Sequence, residues 1–144
     1  MSPSCGTRSV GDLLDASAFV KLVWAEPESD ALSRFLTRRP VTPLVSSSLI
    51  TVEARRTAAR EDPSALVRAD LLLTRVGRIG MTSRIVESAS RLPDRSLRSL
   101  DAIHLATALL LREDLDVLLT YDKRLAAAAE AHHLPVDSPR ARPG

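Results

Sequence analysis

Cysteine, lysine and aromatic side chains are scarce in this chain, and each shortage removes a class of function. The one cysteine, Cys5, permits no internal disulfide and no thiolate metal cluster. Lysine occurs only at Lys21 and Lys123, so arginine supplies nearly all of the 20 basic residues behind a net charge of +2 and a pI near 9.2. The aromatics are Phe19, Trp24, Phe35 and Tyr121, too few for the stacking platforms of single-strand-binding proteins. If nucleic acid binds, arginine contacts to phosphate must carry it, although composition alone describes solvated arginines equally well. No apolar run approaches the roughly 18 residues of a membrane span. The first residues, MSPSCGTRSVGD, lack the apolar block of a secretory signal, so the expectation is a cytoplasmic protein. Neither a Walker A sequence nor GxGxxG occurs, which leaves no glycine-loop nucleotide site.

What is present suits a single soluble domain: 144 residues, 44% hydrophobic and 26% charged. The expected layout is a loose leader over 1–11, one domain over 12–139, and a tail over 140–144 within a frayed SPRARPG terminus. Leu13-Leu14 reads as a short strand ending at Asp15, and AFVKLVWA (18–25) as a helix with Ser17 as its N-cap. ESDALSRFLTRR forms a second helix stopped by Pro40. PLVSSS is a second strand, followed by the helix SLITVEARRTAAR. Residues 65–76 are periodic and apolar. Residues 79–82 suggest a brief third strand, 83–91 a helix closed by Pro93, and LRSLDAIHLATALLL (97–111) a further helix. DVLLTY (116–121) is the clearest strand, with consecutive apolar residues that imply burial on both faces. The helix KRLAAAAEA ends at His132-His133, and residues 134–136 suggest a last strand. Strands alternating with helices imply an α/β fold with a mainly parallel sheet, whose ligands bind at the carboxyl ends of the strands.

That geometry gives meaning to scattered acids. Asp15 and Asp122 each follow a strand and should emerge on one rim. Glu53 lies early in the helix after the second strand, and Asp101 early in the otherwise apolar helix before DVLLTY. Each has an ordinary explanation as well. Asp15 and Asp122 could be helix N-caps, Glu53 could pair with Arg56 or Arg60, and Asp101 could sit in a first turn helped by the helix dipole. Taken together, clustered carboxylates repel unless a cation joins them, and oxygen donors without Cys or His suit Mg2+ or Mn2+. A cation held this way can activate water and neutralise charge on a phosphodiester, so the expected chemistry is metal-assisted phosphodiester hydrolysis.

DASAFVKL, SSSLITVEARR, LRSLDAIHLATA and LLTYDKRL, in this order and spacing, resemble the PIN domain ribonucleases, and more narrowly the VapC toxins of bacterial toxin–antitoxin pairs. The resemblance runs from about Asp12 to Pro139. It implies a three-layer α/β/α fold and an acidic quartet at Asp15, Glu53, Asp101 and Asp122. Asp15 and Asp101 would be the principal metal ligands, and Glu53 and Asp122 would complete the pocket directly or through water. Ser17 and Thr120 match hydroxyl positions lining the site, a role compatible with Ser17 as a cap. Arg98 matches a basic residue that orients a carboxylate, or is a solvated arginine at a helix start. The likeness also implies an Mg2+- or Mn2+-dependent endoribonuclease acting on structured RNA such as tRNA or rRNA, a homodimer, and neutralisation by a VapB-like antitoxin. His104, three residues after Asp101, is read as a hydrogen-bonded structural histidine in preference to a ligand or base. His132-His133 is read as a cationic helix end, and Trp24 and Phe19 as core or partner-facing residues.

Two other α/β phosphate-handling folds fail on spacing. A receiver domain needs an acidic pair at its first strand and an aspartate ending a middle strand, whereas Asp12 comes too early and PLVSSS ends in serines. A haloacid-dehalogenase phosphatase needs DxD, where this chain reads Asp15-Ala16-Ser17. The remaining rival is a catalytically inactive PIN-like module that binds RNA or protein without cutting.

Overall fold

A computed structural model of the chain describes residues 9–141, so Cys5 and residues 142–144 lie outside the described part. The elements in chain order are β1 (Gly11–Leu14), α1 (Ala16–Lys21), α2 (Ser29–Thr37), β2 (Leu44–Ser47), α3 (Leu49–Glu61), a single 3-10 turn (Pro63–Ala65) and α4 (Leu66–Leu73). They continue with β3 (Val76–Ile79), α5 (Ser83–Ser90), α6 (Ser99–Leu110), β4 (Leu115–Leu119), α7 (Lys123–Ala131) and β5 (Val136–Asp137). The strands form one sheet in the order β3-β2-β1-β4-β5, and every pairing is parallel. The α/β class and the parallel sheet read from the sequence are therefore present.

Alternation along the strands builds two cores. Leu14, Val117 and Leu119 face one way and pack with Phe19 of α1, Leu32 of α2, Ile50 and Ala54 of α3, and Leu73 of α4. Leu13, Val45 and Leu118 face the other way, against Leu105 and Ala108 of α6 and Leu125 and Ala129 of α7. Side chains of period two on a central sheet, covered by helices on both faces, give three layers. Gly11 starts β1 with φ +118, and a side chain there would collide with the Pro43 carbonyl, so this close approach of β1 to the chain entering β2 requires glycine.

Several boundaries differ from the sequence reading. α1 covers 16–21 instead of 18–25 because Asp15, not Ser17, is its N-cap: the Asp15 carboxylate accepts the Ala18 N–H at 2.9 Å. β3 lies at Val76–Ile79, where it can pair with Leu44–Ser47, and Thr82 instead caps α5 by accepting the Ile85 N–H. The periodic stretch 65–76 is split between the 3-10 turn, α4 and the start of β3. The terminus read as frayed is held through Arg140. Ser138 donates to the Thr120 carbonyl, Tyr121 donates to the Pro139 carbonyl at 2.7 Å, and Arg140 pairs with Glu28 at 3.2 Å. No helix among the described residues is long and apolar enough to cross a membrane.

Candidate active site

The carboxyl rim of the sheet gathers the predicted acids by simple chain geometry. β1 and β4 are adjacent and parallel, with Leu13 opposite Leu118 and Leu14 opposite Leu119. Asp15 and the Thr120–Asp122 turn therefore leave the sheet side by side. Ser46 of β2 donates to the Leu14 carbonyl at 2.6 Å, fixing the backbone immediately before Asp15.

Asp15 is 2% exposed and fully engaged by donors. Ser17 Oγ donates to its carboxylate at 2.7 Å, Thr120 Oγ1 at 2.6 Å and the Ala18 N–H at 2.9 Å. The two hydroxyls also knit the strand-end loops together. Ser17 Oγ accepts the Tyr121 N–H at 2.8 Å, and Thr120 Oγ1 accepts the Asp122 N–H at 3.1 Å. Asp122 caps α7, accepting the Leu125 N–H at 2.9 Å. Ser17 and Thr120 thus both bond the Asp15 carboxylate, and Asp15 and Asp122 are also the N-caps of α1 and α7.

Glu53, one turn into α3, meets His104 of α6: Nε2 lies 2.7 Å from Oε1. Asp101, in the first turn of α6, is half-buried and has no hydrogen-bond donor among the described residues. Its carboxyl pKa is pushed up, first by burial and then by the Asp122 and Asp15 carboxylates, with Glu53 adding and His104 opposing. Burial likewise raises Asp15 against the relief given by Thr120, His104, Ala18 and Ser17. Asp101 feels the other three acids, so four carboxylates from distant parts of the chain share one electrostatic environment. Arg98 is exposed at the start of α6 and bonds no carboxylate among the described residues, which matches the solvated alternative of its reading.

Among the described residues no three His, Cys, Asp or Glu side chains are already arranged as a metal cage. The hydrogen bonds explain why: Asp15, Glu53 and Asp122 each commit an oxygen to a protein donor, and Asp101 alone commits none. The donor chemistry nevertheless fits a hard divalent cation. The ligand set is all oxygen, and after burial the neighbouring carboxylates add to the raised Asp101.

Residues 13–131 match the PIN domain family. Over 128 residues the chain is 41% identical to the ribonuclease VapC35 of Mycobacterium tuberculosis, covering 88% of this chain and 95% of the relative. The chain belongs to the VapC family of PIN domains. Among solved structures, the fold is similar to Mycobacterium tuberculosis VapC20, described as a sarcin–ricin-loop-cleaving toxin. The TM-score is 0.68 at 18% identity, over 81% of this chain and 94% of that one. It is also similar to VapBC2 of Rickettsia felis bound to a promoter DNA fragment, with a TM-score of 0.69 at 14% identity over 88% and 96% of the two chains. At such identities these two likenesses speak for the fold alone.

His104 is buried and hydrogen-bonded, as the sequence reading expected, and what that reading did not supply is its partner, Glu53. The available signal was its spacing, three after Asp101, which places both on one face of α6. The buried pair of Asp12 with Arg39 was not foreseen either. Arg39 Nε and Nη2 donate to the Asp12 carboxylate at 2.9 and 2.8 Å, at the opposite end of β1 from Asp15.

Proposed function

We propose that this VapC-family protein is the toxin of a type II toxin–antitoxin pair and an endoribonuclease dependent on Mg2+ or Mn2+. It acts in the cytoplasm on structured RNA such as tRNA or rRNA. The observation that carries the reading is the convergence on Asp101 of the Asp15, Glu53 and Asp122 carboxylates, with no lysine or arginine bonded to any of the four among the described residues. A fold that sets four carboxylates against the single imidazole of His104 carries excess negative charge and is suited to receive a cation.

Asp15 and Asp101 would hold the ion, with Glu53 and Asp122 completing the pocket directly or through water. When bound, the ion supplies Lewis-acid neutralisation of the scissile phosphate and lowers the pKa of water. The chain's own groups do the placing. Ser17 and Thr120 hold Asp15 from two sides, and the cap on α7 holds Asp122. The half-buried Asp101 keeps its lone pairs free of protein donors.

The chemistry of the relatives supports RNA as substrate, because VapC35, 41% identical over most of the chain, is a ribonuclease. Membership of the VapC family supports a VapB-like antitoxin partner, and a homodimer is part of the same reading. Purified protein should cut structured RNA with Mg2+ or Mn2+ and lose cutting on chelation. Asp15→Asn and Asp101→Asn should each abolish cleavage with the fold retained. RNA bound but left intact under both ions would instead identify a binding module.

A further inference from the structure

The bond between His104 and Glu53 crosses the rim of the sheet. Glu53 belongs to α3, whose apolar side packs on one face, and His104 to α6, which packs on the other. His104 is completely buried, and its Nε2 sits 2.7 Å from Glu53 Oε1. Its Nδ1 is buried without a partner, the one side-chain polar atom so placed among the described residues. An imidazole kept only to fill the core would leave that nitrogen stranded, and an unmet buried polar group costs stability. A leucine would fill the space without that cost. What the imidazole offers and leucine lacks is the Nε2–H aimed at a carboxylate.

We propose that His104 is a positioning residue: its Nε2–H holds Glu53 Oε1 and leaves Oε2 without a protein donor among the described residues, free for the ion that Asp15 and Asp101 would hold. The assignment rests on the metal-site reading above and adds to it the group that orients one of its carboxylates. A donor of this kind behind a metal-binding side chain commonly changes metal affinity 10- to 100-fold, roughly, when removed. Glutamine can reach Glu53 with its own amide N–H from the same position, whereas asparagine is one methylene short and leucine has no donor.

The test measures Mg2+ binding by calorimetry on the full chain, beside RNA cleavage. His104→Leu and His104→Asn should weaken Mg2+ binding about 10- to 100-fold, and His104→Gln should stay within about threefold of the wild type. In the double variant with Glu53→Ala, removing His104 should cost nothing further, because its only route to the ion is gone. In the wild-type protein without metal, nitrogen-15 spectra should show a His104 Nε2–H protected from exchange, with that protection lost in Glu53→Ala. If His104→Leu does not fold, the Gln and Asn variants and the spectra decide the question. Folded His104 variants that bind Mg2+ like the wild type, or losses that simply add to those of Glu53→Ala, overturn the assignment and leave a structural histidine. The reading of function is reported separately by the wild type. Glu53-dependent Mg2+ binding without RNA cleavage would sink the nuclease and spare His104, and a cutting wild type with insensitive His104 variants would do the reverse.

Discussion

Asp12 and Asp15 stand three residues apart on the same stretch of chain, both essentially removed from solvent, yet their surroundings are opposites. Asp12, near the start of β1, receives a two-pronged arginine from Arg39, whose guanidinium also lies 5.1 Å from the Phe35 ring. Asp15, just past the other end, receives hydroxyls and a backbone amide but no lysine or arginine; His104 eases its charge, and its own carboxylate adds to the rise at Asp101. A cation is not missing from that neighbourhood. Lys21 of α1 is held by Glu26 at 3.0 Å and Glu28 at 2.8 Å. One end of the strand is therefore balanced for stability, and the other is left charged in a way that costs stability unless an ion arrives.

The largest expected contrast is in activity. Asp15→Asn should lower RNA cleavage by about a thousandfold, equivalent to roughly 4 kcal/mol of transition-state stabilisation, with circular dichroism unchanged. Asp12→Asn should leave the cleavage rate of the folded protein near the wild-type value, because its partner is Arg39 at the far end of the strand. Equal activity losses in both variants would erase the distinction between the two ends.

Stability should show the reverse pattern. Arg39→Met strands the Asp12 carboxylate, and denaturant unfolding should reveal a loss of about 2–3 kcal/mol, below the 3–5 of a fully dry pair because the arginine is partly exposed. Replacing both partners, Asp12→Val with Arg39→Met, should cost less than Arg39→Met alone, since no charge is then left buried. A double variant worse than the single would show that the pair contributes more than mutual neutralisation.

The same contrast explains what could be read in advance. Asp15 and Asp122 were legible as rim residues because parallel strands fix where their carboxyl ends emerge, and Leu13-Leu14 and DVLLTY are apolar runs. Asp101 was harder, because its helix precedes its strand and only docking brings the first turn of α6 to the rim. The bond of His104 to Glu53 and the pair of Asp12 with Arg39 join residues 51 and 27 positions apart, and no local period announces either. The start of α1 was misplaced because Ser17 looks like a cap, while Asp15, which also serves the site, takes the Ala18 N–H. β3 was misplaced because RVGRIGMT is weakly patterned, and its pairing with β2, not its own apolar content, sets its limits.

Metal should move the unbalanced end alone. Mg2+ at about 100 times its dissociation constant should stabilise the wild type by roughly 2.7 kcal/mol in thermal unfolding. Asp101→Asn should lose most of that gain. Without metal, the same variant should be more stable than the wild type by a few tenths to about 1 kcal/mol, because one of the mutually repelling charges is removed from a partly solvated site. A variant less stable than the wild type would mean that Asp101 makes a structural contribution its surroundings do not reveal.

The smallest effect lies next to the site, where the neighbouring cations are already committed. Tyr121, the one tyrosine of the chain, lies between Lys21 and Arg140, whose charged groups stand 5.2 and 5.5 Å from its ring. Burial, with Glu28 adding, raises its phenol from 10.0 to about 12, against the pull of Arg140, and its O–H is donated to Pro139. Ultraviolet titration should therefore show no phenolate until well above pH 10, followed by ionisation near 12 or on unfolding. Because the folded value is the higher one, the associated stability is fully present below pH 10 and is lost as pH rises from 10 towards 12. Tyr121 should thus add no pH dependence to stability around neutral pH. Ionisation near 10 in the folded protein would mean that the Ser138–Arg140 segment opens and admits water, so that the turn carrying Thr120 and Asp122 is not clamped from outside and the unbalanced end depends on its own hydrogen bonds alone.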